Sequence, residues 1–134
     1  MNIKPVALEH LNHFSGIILD SAIRVHKEMG PGLLESVYQH CMVRELQERK
    51  ILVESMVPLP LCYKGTLLDK NYIIDLLIEK EIVVELKSIE CLLPIHEAQI
   101  ISYLKLANKR LGLLINFNVP LLKHGFKRFL NKVV

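Results

Sequence analysis

Apolar residues recur along this chain first at helical spacing and then in runs and alternations typical of strands. Ile18, Ala22, Val25 and Met29 repeat every three to four residues, predicting a helix over about Phe14–Met29 with those four facing a core. Gly30-Pro31-Gly32 stops it, with Gly30 as a left-handed cap. A second helix runs from about Leu33 to Arg49 along the line Leu34, Val37, Cys41 and Leu46, with Glu35 in the first turn, where the helix dipole favours an anion. From Ile51 to Tyr63 the pattern turns extended. Val57, Leu59 and Leu61 alternate, and Pro58 and Pro60 restrict this strand to an edge or a bulge. Lys64-Gly65 makes a turn, and strands follow at about Asn71–Ile78 and Ile82–Ser88. A third helix is predicted over about Ile95–Asn108 behind Pro94, then a strand at Leu111–Phe117 whose unbroken apolar run suits burial on both faces. Periodicity leaves Leu121–Val134 open between an edge strand and a short helix. The order helix, helix, three strands, helix, strand is an α/β layout with a mixed central sheet flanked by helices.

Two of those strands carry charge where a buried strand should carry none. Asp75 lies among Ile73, Ile74, Leu76, Leu77 and Ile78, while Glu85 and Lys87 follow Ile82, Val83 and Val84. Unpaired charges there are costly, so they require partners, a metal or a function. Glu85 and Lys87 share a strand face with Val83, opposite Ile82, Val84 and Leu86; Asp75 shares its face with Ile73 and Leu77. Opposed residues of an antiparallel pair have a constant sum of numbers. A two-residue loop, Lys80-Glu81, sets Asp75 against Leu86. A three-residue loop, Glu79-Lys80-Glu81, pairs Ile78 with Ile82 and therefore Asp75 with Glu85. A site built on both acids thus requires the odd loop or a bulge.

Adjacent carboxylates repel unless a cation joins them, and hard oxygen ligands suit Mg²⁺ or Mn²⁺. A lysine beside them stabilises developing negative charge, so Asp, Glu and Lys together fit metal-assisted phosphodiester hydrolysis. A solvated face with a Glu–Lys pair accounts for the same three residues. Gln99 and Tyr103 stack on one face of the third helix, with His96 a turn earlier, and Glu35 and Tyr38 are three apart on the second. Each also has a plain reading, as a half-buried aromatic or a capping histidine.

Composition narrows the classes. The 134 residues suit one domain, 1–134, with a single core; 51 % are apolar and 23 % charged, a globular balance. A net charge of +3 permits an anionic partner without demanding one. No apolar run reaches the ~18 residues of a membrane span. Met1–Leu19 mixes charge and histidine with apolar residues, unlike a signal peptide. Cys41, Cys62 and Cys91 form no CxxC pair, and reduced thiols in a cytoplasm are the simplest reading.

Several stretches together resemble a known family. Gly32-Leu-Leu-Glu35-Ser-Val-Tyr38 matches the signature of the GxxExxY proteins, within the PD-(D/E)XK nuclease-like superfamily. Val25–Gly32, Ile74–Ile78, Val84–Lys87, His96–Gln99 and Leu111–Phe117 are similar to that family in the same order, so the resemblance covers about Ile17–Lys127. It implies a restriction-endonuclease-like α-β-β-β-α-β core. It implies catalytic positions at Asp75, Glu85 and Lys87, metal ligands in Asp75 and Glu85, and Glu35 as the helical acid in or beside the metal site. It also implies a substrate wall of Gln99 and Tyr103, to which Tyr38 and His96 are added. The partner implied is nucleic acid, DNA ahead of RNA, with a homodimer as one way to embrace a duplex. Many relatives carry arginine two residues before the strand aspartate; Ile73 stands there, removing a phosphate contact. The expected function is a Mg²⁺- or Mn²⁺-dependent nuclease, the alternative a catalytically inactive nucleic-acid or protein binding module of the same fold. Lys105, Lys109, Arg110, Lys123, Lys127 and Arg128 are candidate backbone contacts, or equally a solvated face.

Overall fold

The apolar run at Leu111–Asn116 is buried at all six positions and forms the middle of the molecule. In the computed structural model, which describes residues 7–132, the other elements are arranged around it. The outer ends of the expected segments Met1–Leu19 and Leu121–Val134 lie outside the described residues. Helices α1 (Leu8–Met29), α2 (Glu35–Glu48) and α3 (Pro94–Ala107) pack on a sheet of β1 (Val53–Tyr63), β2 (Thr66–Ile78), β3 (Ile82–Lys87), β4 (Leu111–Asn116) and β5 (Phe126–Leu130). The strand order is β1-β2-β3-β4-β5. β3 and β4 are parallel, as the α3 crossover between them requires, and the other pairs are antiparallel. This is the mixed, restriction-endonuclease-like α/β architecture.

Strand parity divides the core. Ile82, Val84 and Leu86 pack with Ile18, Ala22, Tyr38 and Met42 on the α1/α2 side. Val83 packs with Tyr103 and Leu104 on the α3 side. Glu85 and Lys87 continue the Val83 face and so point toward α3.

Some expected details differ. α1 starts at Leu8 rather than Phe14, because Leu11 extends its buried line. Met29, expected inward, is 38 % exposed in the final turn. Gly30 does take a positive φ of 73°, but its ψ of 176° carries the chain out extended rather than into a left-handed cap. On α2 the buried line is Tyr38, Met42 and Leu46, not Leu34, Val37 and Cys41. The helix is rotated because Tyr38 stacks flat on Phe117, centroids 4.4 Å apart, which leaves Leu34 at the surface.

The prolines of β1 obtain both features they suggested, an edge position and a register shift between Pro60 and Cys62. The β1–β2 hairpin closes at Lys64-Gly65 with both φ values positive, the two-residue turn whose twist matches the strands. The segment that periodicity left open forms a 3₁₀ turn, Leu122–Gly125, and then edge strand β5.

Candidate active site

The loop between β2 and β3 decides the geometry. Leu76 pairs with Val84, Leu77 with Val83 and Ile78 with Ile82, so Glu79-Lys80-Glu81 is the odd loop that a two-acid site requires. Glu79 is held out of this ladder by Leu52, just before β1. Its N–H donates to the Leu52 carbonyl at 2.8 Å, and its carboxylate accepts from the Leu52 N–H at 2.6 Å. Glu79 and Lys80 both take left-handed φ values, 52° and 58°.

Beyond Leu76 and Val84 the main-chain ladder gives way to carboxylates. The Asp75 N–H donates to Glu85 Oε1 at 3.2 Å, and Asp75 Oδ2 accepts from the Leu86 N–H at 2.8 Å. The Asp75 carbonyl accepts from Gln39 Nε2 at 3.4 Å. Met56, which falls opposite Asp75 between the pairs Ser55–Leu76 and Val57–Ile74, has a φ of 54°. The strand also changes face at this point. Leu76 and Ile78 pack on the α1/α2 side, whereas Ile74, two residues from Leu76, packs on the α3 side. Asp75 therefore sits in a break in the sheet whose polar groups are served by side chains.

The pair is electrostatically tense. Glu85 is 5 % exposed. Burial, then the neighbouring Asp75 charge, push its carboxyl up to about 9, against an opposing pull from Lys87. Glu35, an exposed residue at the start of α2, is raised first by desolvation and then by Asp75, again opposed by Lys87. Glu35, Asp75, Glu85 and Lys87 thus share one electrostatic neighbourhood. Two bonds fix the end of β3 within it: Phe117 N–H donates to the Lys87 carbonyl at 2.9 Å, and Ser88 Oγ donates to the Leu33 carbonyl at 2.6 Å. On the α3 side Gln99 Nε2 donates to the Tyr103 hydroxyl at 3.1 Å. That hydroxyl's pKa is raised by burial and then by Glu85, which places it beside the acids, and the Tyr72 ring lies 5.2 Å from its ring.

A sequence model of the PD-(D/E)XK nuclease superfamily matches residues 12–129. The chain belongs to that superfamily. No curated protein and no solved structure matches it.

Within this PD-(D/E)XK domain, six of the eight residues singled out from sequence gather: Glu35, Asp75, Glu85, Lys87, Gln99 and Tyr103. Tyr38 and His96 have local hydrogen-bond partners instead. Tyr38 is fully buried, and its hydroxyl donates to the Gly30 carbonyl at 2.6 Å and accepts from the Leu33 N–H at 3.1 Å. His96 Nδ1 accepts from the Leu93 N–H at 2.9 Å and caps α3. Gln39 and Met56 were not singled out from sequence; the left-handed backbone at Met56 has no composition cue, and Gln39 reads as an ordinary helix-surface residue.

PD-(D/E)XK nucleases generally use divalent metals. The donor set here fits one. Asp75 and Glu85 offer hard oxygens, and an intervening cation would relieve the repulsion that helps to raise Glu85. Among the described residues no three His, Cys, Asp or Glu side chains stand together as a ready-made cation site. The hydrogen-bonded acids are the pair Asp75 and Glu85, and Glu35 feels the charge of Asp75 from the start of α2. No helix among the described residues is long and apolar enough to cross a membrane.

Proposed function

We propose that this protein is a Mg²⁺- or Mn²⁺-dependent nuclease of the GxxExxY type, cutting DNA in preference to RNA. The observation that carries the reading is the reciprocal lock of Asp75 and Glu85, each carboxylate bonded to the other's strand, with Lys87 on the same face. Asp75 and Glu85 would hold the metal, with Glu35 at its edge; the ion supplies Lewis acidity to the phosphodiester and to the attacking water. The Lys87 ammonium would steady the negative charge that develops on the phosphodiester. Tyr103 and Gln99 form a wall against which the scissile group is oriented, and the buried floor of β3 restricts access of bulk water.

The test is hydrolysis of single-stranded, duplex and branched substrates with added Mg²⁺ or Mn²⁺, comparing the wild type with Lys87→Ala. Cleavage by the wild type should fall at least about a hundredfold in the variant. Equal cleavage by both proteins would identify a contaminant and remove the proposal.

Ile73 in place of an arginine favours a second reading, a binding module that keeps its acids for structural reasons. Titration calorimetry separates the two. A nuclease binds Mn²⁺ at millimolar concentration or below, and Asp75→Ala abolishes that heat. A binding module binds nucleic acid at least as tightly after Glu85→Ala.

A further inference from the structure

A groove of about 1080 Å³ lies between α2 and edge strand β1, separate from the acid pair itself. Ser36, Gln39, His40, Arg44 and Gln47 line its helix side, and Met56 its strand side. Its inner end meets the break at Asp75 twice. Gln39 is the side chain bonded to the Asp75 carbonyl, and Met56 is the residue opposite Asp75 across the β1–β2 ladder. Ser36 adjoins Glu35. From Ser36 to Gln47 the helix side extends on the order of 16 Å, enough for several nucleotides at the ~3.4 Å spacing of stacked bases.

The lining chemistry suits a phosphodiester backbone. The side chains lining the groove among the described residues include two bases, His40 and Arg44, together with amides and hydroxyls, and no acid. Arg44 is 84 % exposed and paired at 3.3 Å with Glu48 on its own helix. Such a surface pair contributes under ~1 kcal/mol, so the guanidinium exchanges readily onto a phosphate. Met56 is 54 % exposed on a backbone of left-handed φ and offers an apolar surface for a base face.

We propose that this groove, on the α2 side of the sheet, is the track for a single nucleic-acid strand that ends beside the break at Asp75, its phosphates held by Arg44 and His40 and a base resting on Met56. The proposal rests on the nuclease reading for what happens at the inner end. The binding itself is testable without cleavage.

Cys41 also lines the groove and is partly exposed, whereas Cys62 and Cys91 are exposed elsewhere. In a Cys62→Ser, Cys91→Ser protein the Cys41 thiol becomes a footprint. Its rate of modification, measured in EDTA, should fall severalfold on adding single-stranded DNA or RNA oligonucleotide, the two arms showing which is preferred. In parallel, anisotropy of a labelled oligonucleotide should show affinity falling about tenfold in the His40→Ala, Arg44→Ala double variant. The slope of log affinity against log salt should drop by about one, while Arg24→Ala leaves affinity unchanged. An oligonucleotide affinity unchanged in the His40→Ala, Arg44→Ala double variant overturns the groove, even if metal-dependent cleavage is found. Protection of Cys41 in a protein that never cleaves upholds the groove and removes the nuclease reading instead.

Discussion

Glu85 concentrates the conflict between fold and chemistry in one side chain. Its carboxyl has an ordinary value of 4.5, raised to about 9 first by burial and then by Asp75. Below 4.5 the proton is bound in both folded and unfolded chains; above it the unfolded chain ionises first. The stability from retaining the proton is therefore full in acid and lost as pH rises from about 4.5 through 9. In chelator, urea midpoints should decline across that window, and Glu85→Gln should flatten the decline and add ~2 kcal/mol at its alkaline end. A parallel decline in the variant would place the ionising group elsewhere. Tyr38 shows the opposite case, a residue that looks functional by its motif and is structural by its contacts. Tyr38→Phe removes a donor from the Gly30 carbonyl and an acceptor from the Leu33 N–H, both near the turn that sets Glu35. A loss of about 2 kcal/mol is expected in denaturant titration, without loss of metal binding.

At the scale of elements, the β2–β3 hairpin carries the site because its loop has an odd number of residues. The loop holds Glu79 and Lys80 in left-handed backbone, where a side chain costs ~1 kcal/mol or more per residue. Lys80→Gly should therefore stabilise the protein by roughly 1 kcal/mol while leaving cleavage intact, since the Ile78–Ile82 pairing is untouched. Loss of cleavage there would mean that the loop does more than set register. Much of this level was legible beforehand. The alternation of Glu85 and Lys87 with buried Val84 and Leu86, and the arithmetic linking loop length to acid pairing, need only strand periodicity. The face of α2 was not legible, because Leu34, Val37 and Cys41 satisfy helical spacing as well as Tyr38 and Met42 do. Only the Phe117 ring, far along the chain, decides between them. His96 was ambiguous for a similar reason: a capping nitrogen and a ligand nitrogen have the same sequence signature.

For the whole molecule, the parallel β3–β4 pair anchors Glu85 and Lys87 to a strand buried at every position, while Asp75 comes from β2, between β3 and edge strand β1. An ion that binds only the folded protein stabilises it by mass action, by about 2.7 kcal/mol at a hundred times its dissociation constant. Saturating Mn²⁺ should accordingly raise the melting temperature by several degrees in the wild type and not in Asp75→Ala measured against its own metal-free baseline. A shift of equal size in both would locate the ion away from the acid pair. The family and the order of elements were readable from spaced motifs, whereas the break at Asp75 was not, since it depends on Gln39, Met56 and Glu85 arriving from three elements. That break has a consequence for descendants of this chain. Asp75 and Glu85 each supply an acceptor to a main-chain N–H that the sheet no longer serves, so an oxygen-bearing side chain is favoured at both positions by the fold, whether or not anything is cut. Lys87 has no such second duty in its side chain. A lineage that abandoned catalysis would let the lysine drift first and keep an acceptor oxygen at both acid positions, so oxygen-bearing side chains there are a poor sign of a working enzyme and the lysine beside them is the better one.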